Sequence, residues 1–506
     1  MRTAYSMQVR AIILTHCAAP LLLFIINRPC IRSDQLNPQS KAAVHVFSYY
    51  IVVLIKLSRQ AGGIRHGLHQ MTRPLSTCRP MLALALMIAI SVSPSVLHAA
   101  DQPAEQVYQS GYGGEETFGG PDGVNLQLQL LDEERESLLD VDTFEQASDP
   151  WFNWKRTLNE KYKLKMGLIV LTLYQRASDQ PDAGETRDAA GGIYRFLGNW
   201  TPFSDDRGNL GRLEWRLESR SDIGGDPSPQ QLGGQYAAAL NTGFPYGNDF
   251  DPDFAILNWN QVLADGKVSI SAGRLAFDVY LDSFAFQSVL AGFLNTSVVY
   301  NPAVGTTGAG ALGAVAKGLI TDHIWLGAQI YDANAVSGEF DFDTFEEYEW
   351  LKAVEVGWTP DFDRRLKERV QFTYWDKDAR RKAGISSGDG WAISASYPVA
   401  DNLLPFIRFG HSDGGARVAA ENALSVGFEY NPWPSGAWNL AVGWAEPSEE
   451  THGPGLDDEW VIETSYKINL TENFSLTPDV QLLINPAKSP DLDDVWILGL
   501  RVGLTL

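Results

Sequence analysis

The residues of this chain that could do chemistry do not form a catalytic set. From residue 101 onward there are three histidines, His323, His411 and His452, which are far apart and lack the spacing of metal ligands. The same stretch has no cysteine for thiol catalysis and no serine in a nucleophile-elbow motif. We therefore predict that the protein is not an enzyme and has no catalytic residue, no metal site and no cofactor.

Two other segments resemble ligand-binding motifs in residue type but lack the rest of the motif. Residues 308–313 fit the glycine spacing of a dinucleotide-binding loop, but they lack the flanking strand and helix and the later acidic residue, so a flexible loop is the better interpretation. The acidic clusters at 341–347 and 491–494 could bind calcium. They lack the ladder of ligands found in an EF-hand, which favours solvated loop charge.

The remaining candidates are charged residues that alternate with apolar ones. In a soluble protein they would be ordinary surface, whereas in a barrel they would line a channel. Guanidinium and carboxylate groups together offer donors and acceptors that suit neutral polyhydroxylated solutes as well as ions. The set comprises Arg212, Glu214, Arg216, Glu218, Arg369, Arg408, Glu429, Glu463, Lys467, Asp479 and Arg501.

The alternation is clearest at 496–506, where every second residue is aromatic or aliphatic and the intervening ones are Ile497, Gly499, Arg501, Gly503 and Thr505. A period of two predicts a β-strand with one fully apolar face. Comparable patterns recur at 212–218, 369–374, 424–430 and 460–468. An outer face against lipid and an inner face against water would explain all of them.

The connections between these strands alternate in length. Short ones are predicted at 321–322, 398–402, 431–436 and 469–473, and longer acidic or glycine-rich ones at 222–253, 376–389, 412–421, 446–458 and 485–494. Outer-membrane barrels have short turns at one end and long loops at the other. We predict an all-β fold, a transmembrane antiparallel β-barrel of about 16 strands with a short helical N-terminal segment. A soluble β-sandwich, propeller or solenoid is the alternative.

The first hundred residues differ in composition from the rest. They hold ten of the 40 Lys and Arg but one acidic residue, Asp34, which leaves 30 basic and 61 acidic residues and a formal charge of −31 for 101–506. Residues 71–100 have the basic start, short apolar centre and small-residue end of a signal peptide, with cleavage expected near Ala99 or Ala100. Residues 1–70 are interpreted as an untranslated or non-native extension, and a genuine long leader or membrane anchor is the alternative.

Export of an acidic, thiol-free chain implies the bacterial outer membrane, the periplasm or secretion, and the barrel pattern favours the first. Within the exported part, 101–150 is predicted to be a flexible or helical segment and 151–506 the barrel domain. Helices are predicted at 151–163, begun by Asp149 and Pro150, and at 126–139, where a strand is the alternative.

A segment at 274–295 is too aromatic for a solvated loop and too mixed for a lipid-facing strand. We expect it to fold inward and narrow the pore. Its hydroxyl-binding candidates are Arg274, Asp278 and Asp282. The rings expected to stack on a sugar are Phe277, Tyr280, Phe284 and Phe286. The alternative is a segment that packs against the barrel wall for structural reasons.

Several short motifs, in this order, resemble the carbohydrate-selective outer-membrane porins of the OprB family. They are Trp154-Lys-Arg-Thr-Leu158 with Gly167, Gly273-Arg274-Leu275, Phe293-Leu294-Asn295, Leu476-Thr-Pro-Asp479-Val-Gln481, Ile484-Asn485-Pro486 and Leu498-Gly-Leu-Arg501. The resemblance implies a sixteen-stranded barrel that passes small sugars without an energy source. It also implies channel-lining roles for Arg274, Asp479, Gln481 and Arg501. Asn153-Trp154-Lys155 departs from the glycine-rich motif of the family.

Three functions follow from these patterns. The first is a diffusion channel that prefers small sugars, the second a general porin that leans toward cations, and the third a secreted β-rich protein that binds carbohydrate. The expected partners are permeating sugars and outer-membrane lipid, with no nucleic acid. A homotrimer is a candidate assembly because sixteen-stranded porins often form trimers, although nothing in the sequence singles out a protomer interface.

Overall fold

A computed structural model describes residues 108–112, 118–139, 142–180, 186–224, 227–247, 249–339 and 347–506. The predicted extension at 1–70, the predicted signal peptide at 71–100 and most of the acidic cluster at 341–347 lie outside these residues.

Sixteen strands dominate the described part of the chain. They are β1 Leu164–Ala177, β2 Asp188–Ser204, β3 Leu210–Asp222, β4 Phe250–Leu263, β5 Val268–Leu275, β6 Ala311–Thr321, β7 Ile324–Asp332, β8 Trp350–Trp358, β9 Arg369–Lys377, β10 Gly388–Ser396, β11 Leu403–Ser412, β12 Ala420–Trp433, β13 Gly436–Pro447, β14 Glu459–Asn469, β15 Phe474–Ile484 and β16 Asp494–Thr505. Each strand pairs antiparallel with its neighbours in sequence, and β1 pairs with β16, so the sheet is a closed barrel. The predicted fold is confirmed.

The barrel closes through an in-register seam. Ile169 lies opposite Thr505, and the pairing continues along the strands to Ala177 and Ile497. Beyond the last strand residue, the N–H groups of Leu168 and Leu506 each donate to the other's carbonyl, at 2.8 and 2.9 Å. Closure leaves no strand edge with unpaired backbone groups, which is the condition for placing a sheet in lipid.

The predicted alternation decides which side chains face inward. Along β3 the polar residues 212, 214, 216 and 218 are buried and the apolar ones between them are partly exposed. In β16 the exposed residues include Leu498 and Leu500, while Ile497 and Arg501 are buried. Apolar residues therefore cover the outside of the barrel and polar ones its inside.

Short turns lie at one end of the barrel and long connections at the other. The turns at 322–323, 397–402, 434–435 and 470–473 alternate with long connections such as 223–249 and 276–310. The predicted turns and loops at these positions are confirmed to within a few residues.

Five α-helices are present among the described residues: α1 Val124–Asp132, α2 Asp142–Tyr162, α3 Pro229–Tyr236, α4 Thr296–Val299 and α5 Glu449–His452. None of the helices in the part of the chain that the structure describes is long and apolar enough to span a membrane. The longest, α2, leads directly into β1.

The bounds of both N-terminal helices differ from the prediction. Pro150 lies inside α2 rather than at its start, so the helix lacks one backbone hydrogen bond there. Two hydrogen bonds join the later part of α2 to Ser110, whose hydroxyl donates to the carbonyl of Phe152 and whose carbonyl accepts from Asn159. Helix α1 ends at Asp132 rather than continuing to residue 139, and the Asp132 carboxylate accepts the N–H groups of Ser110 and Tyr112.

Candidate functional site

Three stretches of chain lie inside the barrel, in contact with inward-facing side chains of many strands. We call them the N-terminal inner segment (118–132), the first inner loop (229–247) and the second inner loop (276–304). Helix α1 of the inner segment packs on Gly167 of β1, where an added Cβ would lie 2.5 Å from Leu131. The second inner loop contains most of the 274–295 segment, so the inward folding expected for that segment is observed.

An ion-paired cluster joins the N-terminal inner segment to the wall formed by β2 and β3. Asp122 accepts from Arg195 and Arg216, each at 2.8 Å. Glu218 accepts from Arg195 and Arg220, each at 2.7 Å, and its carboxylate lies 3.3 Å from the Arg216 guanidinium as an ion pair. Each buried guanidinium of this cluster thus faces a carboxylate, as desolvated charges require.

A second group of polar side chains surrounds Glu214 on the same wall. Its carboxylate accepts from Arg212 at 2.9 Å, from Asn125 of α1 at 2.6 Å and from Asn258 of β4 at 3.2 Å. Asn125 in turn accepts from Asn199 of β2 at 2.6 Å. Four of the predicted lining residues, Arg212, Glu214, Arg216 and Glu218, are thereby brought together.

Asp278 lies beside the first of these clusters and is only partly covered. Burial raises its pKa to about 6; the charges of Asp122 and Glu218 add to this effect, while Arg216 and Arg195 oppose it. This carboxyl therefore changes charge near neutral pH, in contrast to an ordinary surface aspartate.

The second inner loop is held to the wall across from β3 by Asp282 and Arg408. Their side chains form an ion pair at 2.5 Å, and Arg408 also donates to the carbonyls of Val298 and Tyr300 at 2.8 and 2.9 Å. Burial raises the pKa of Asp282, and Arg408 opposes that shift. These two predicted residues therefore hold the loop in place.

Inward side chains of β14, β15 and β16 bind the backbones of both inner loops. Glu463 accepts from the N–H groups of Leu294 and Asn295, and Gln481 donates to the carbonyl of Thr242 at 2.8 Å and to Asp479 at 3.0 Å. Lys467 donates to the carbonyl of Leu290 at 2.8 Å.

Arg501 of β16 completes this set of loop contacts. It donates to the carbonyls of Val289 and Ala291 in the second inner loop. The predicted residues on these three strands are therefore inward-facing, and most of them touch a loop.

The four rings expected to stack on a sugar are packed against protein. Phe284 and Phe286 contact each other and Phe406, with ring centroids 5.1 to 5.5 Å apart, and Phe284 is 0 % exposed. Phe277 packs edge-on against Tyr300, and the Tyr280 hydroxyl hydrogen-bonds Ser271 at 3.1 Å. This geometry favours wall packing, and a sugar contact stays a prediction.

Arg274 is buried at the end of β5, where the strand is distorted, and its channel-lining role stays a prediction. It pairs in register with Leu257, and Leu257 with Trp215 on the outward face of β3. The glycine before it has a φ of +135°, where the strand is distorted. The guanidinium binds Asp253 at 2.6 Å and the carbonyls of Phe254 and Glu339, so it joins β4 to the β7–β8 connection at the end of the barrel.

The last two predicted lining residues lie apart from the charged wall. Arg369 is buried over the ring of Trp325, 5.2 Å from its centroid, and Glu429 is half-buried and accepts from Asn431 at 3.2 Å. In the described residues no group of three or more His, Cys, Asp or Glu side chains is arranged to hold a metal ion.

Three residues that hold the inner segment and loops were not predicted from the sequence. Arg195 follows the alternation of β2, so its position between Tyr194 and Phe196 was a usable signal. Asp122 lies in a glycine-rich stretch without periodicity, and nothing local marks it. Glu459 begins β14 and accepts four backbone N–H groups, from Ala238, Ala239, Leu240 and Ala487, which no sequence pattern predicts.

Comparison with known proteins agrees with this architecture. Residues 406–506 match the family model described as carbohydrate-selective porin, OprB family. The chain resembles the OprB family. The resemblance drawn from the short motifs is therefore confirmed, and the matched residues run from β11 to the end of the chain.

The solved structure of Pseudomonas putida OprB at high pH has the same fold. It matches with a TM-score of 0.58 and 13 % identity, over 70 % of this chain and 97 % of that one.

Two curated porins are distant relatives. Porin AaxA of Chlamydia abortus is 23 % identical over 255 residues, and Porin AaxA of Chlamydia felis is 22 % identical over 256 residues. Both matches cover 49 % of this chain, and the chain spans 56 % and 57 % of the length of these relatives.

Proposed function

We propose that this protein is an outer-membrane channel for passive diffusion of small sugars. The observation that carries the proposal is the inner wall of β2 and β3, where buried guanidinium and carboxylate groups alternate beside the inner loops. Guanidinium and carboxylate groups paired in this way leave the wall with little net charge. Such a wall does not favour ions over a neutral polyol, whereas a wall of one sign favours ions of the other.

We propose that the partly exposed Asp278 meets the solute. The charged groups beside it are buried and are proposed to shape this side of the pore by holding the N-terminal inner segment on the wall; they are Asp122, Arg195, Arg212, Glu214, Arg216 and Glu218. Asp479 and Gln481, together with Glu463, Lys467 and Arg501, are proposed to shape the pore by holding the inner loops.

Single-channel conductance in planar bilayers tests this function. Titration with glucose and maltose should block the current saturably, because a sugar bound to the wall obstructs ions. Open channels whose current neither sugar blocks would favour a general porin. A folded protein that forms no channels would contradict both the sugar channel and the general porin.

A general porin that leans toward cations is the second candidate. It is favoured by the formal charge of −31 on residues 101–506, since a field of one sign concentrates ions of the other. The reversal potential across a salt gradient measures this preference. A strong cation preference without sugar block would favour this candidate.

The location and maturation of the chain belong to the same proposal. We infer export through a signal peptide at 71–100 that is cleaved near Ala99 or Ala100, and contact of the outward apolar face with outer-membrane lipid. Mass spectrometry of the mature N-terminus and detergent extraction from washed membranes test these points. Recovery in the soluble periplasm would favour the secreted carbohydrate-binding protein. Native mass spectrometry of the extracted protein tests the homotrimer.

A further inference from the structure

Helix α2 exposes Trp154 and Tyr162 and buries a lysine. Lys155 is 0 % exposed, 3.6 Å from Asp132 and 4.7 Å from the ring centroid of Phe152. In contrast, Trp154 is 46 % exposed and Tyr162 is 60 % exposed. In most soluble proteins large apolar side chains are buried and charged ones are exposed, and here the order is reversed. The exposed side of this helix is therefore a candidate contact surface.

The apolar residues of α2 form one continuous stripe. At 3.6 residues per turn, Trp151, Trp154, Leu158 and Tyr162 fall within an arc of about 80° that runs for about 16 Å along the helix. The Trp151 and Trp154 rings are in contact, with centroids 5.2 Å apart. All four are half-buried or exposed. We call these four residues the α2 stripe.

The helix therefore has three faces rather than two. Phe152 and Lys155 are buried against the protein, Asn153, Thr157 and Glu160 are exposed to water, and the α2 stripe lies between these two faces. A helix at the boundary between protein, water and an apolar medium needs one face for each.

The position of the α2 stripe indicates which apolar medium it contacts. Helix α2 ends two residues before β1, whose first residue Leu164 pairs with the outward-facing Trp200. Trp200 and Phe203 are exposed on the outside of the barrel at its short-turn end. The Tyr162 end of the stripe thus adjoins the apolar outer surface of the barrel, and Lys161 and Lys163, both exposed, flank this end.

We propose that the α2 stripe lies in the membrane interface at the short-turn end of the barrel, with Trp154 and Tyr162 at headgroup level. Trp and Tyr are the residues that favour this depth, and the two lysines suit lipid phosphates. The contact would tie the N-terminal segment to the bilayer. It does not depend on which solute passes through the barrel.

Labelling in vesicles tests the proposal. In the full chain with Cys17, Cys30 and Cys78 replaced by serine, Trp154→Cys or Leu158→Cys is labelled with an environment-sensitive dye and refolded into phospholipid vesicles. The matched control is Thr157→Cys, which lies on the water-facing side of the same helix. Channel conductance of each labelled protein verifies that the barrel has folded.

The dye at 154 and at 158 should show a blue-shifted emission and lose intensity to lipids that carry a spin label near the headgroups. The dye at 157 should respond to iodide in the water and not to the lipid quencher. Equal iodide quenching at all three positions would overturn the proposal. Protection from both quenchers at 154 would also overturn it, since another protein segment or a second copy would then cover the stripe. Sugar block is measured separately, so failure of the sugar function is distinguishable from failure of this contact.

Discussion

At the residue scale, carboxylates inside the barrel bind backbone as well as arginine. Glu459 is 0 % exposed and collects four N–H groups at 2.6 to 3.2 Å from the first inner loop and the β15–β16 connection. Glu463 does the same for the second inner loop with two N–H groups. These two residues of β14 therefore bind the backbones of both inner loops and help to position them.

Glu459→Gln should loosen the first inner loop without changing side-chain volume. The amide keeps one acceptor oxygen where the carboxylate has two, and each lost charge-assisted bond is worth about 1.5–3 kcal/mol. We expect larger and noisier single-channel conductance and weaker discrimination between glucose and maltose. Glu450→Gln, on the exposed helix α5, is the control and should behave as wild type. Unchanged conductance in the folded Glu459 variant would show that this residue does not position the loop.

Asp278 predicts a pH dependence of ion selectivity. Burial raises its pKa to about 6, so the folded state holds this proton to a higher pH than the unfolded state. Stability from this group is therefore present at acidic pH and declines as pH rises from about 4 through 6. Ionisation above pH 6 adds a negative charge to the interior, where Asp122, Glu218, Arg195 and Arg216 are the neighbouring charges.

Cation preference, measured from the reversal potential, should therefore increase between about pH 5 and pH 7. Asp278→Asn should abolish that step and leave the sugar block at low pH intact. A step that persists in the variant would have to come from another group.

At the element scale, long connections and barrel wall share one core. The second inner loop contributes Phe284, Phe286 and Phe293, which pack on Phe406 of β11. Its backbone is bound by side chains from β11, β14 and β16. The second inner loop is therefore bound at many points inside the barrel.

Deleting residues 276–291 should therefore widen the pore, with higher conductance and loss of saturable sugar block. The control is deletion of 382–384 in the exposed β9–β10 connection, which should leave conductance unchanged. A folded barrel with wild-type conductance after the first deletion would mean that the loop does not set the constriction.

At the scale of the whole molecule, the outward apolar face distinguishes a membrane barrel from a soluble one. Leu500→Arg, on the outside of β16, should cost about 2–4 kcal/mol in a bilayer if the residue lies near the midplane. On the surface of a soluble protein the same change would stay within about 0.5 kcal/mol. Urea unfolding from phospholipid vesicles measures the difference. Lys488→Arg, in the exposed β15–β16 connection, is the matched control.

The sequence alone determined the barrel and the inward direction of its polar residues, because alternation with a period of two is a local property of each strand. Arg212 to Glu218 and Val370 to Tyr374 face the predicted sides for this reason. The short and long connections were likewise readable from turn residues and composition. Arg195 was predictable by the same rule.

Only the tertiary structure decided which of these residues meet. Asp122 reaches Arg195 and Arg216 across more than seventy positions of sequence, and Glu459 binds a loop more than two hundred residues earlier. Arg274 binds Asp253 and the carbonyl of Glu339, and the rings of Phe284 and Phe286 pack against Phe406 of β11. Contacts made across a closed barrel depend on how its loops fold inward, and no local period encodes that.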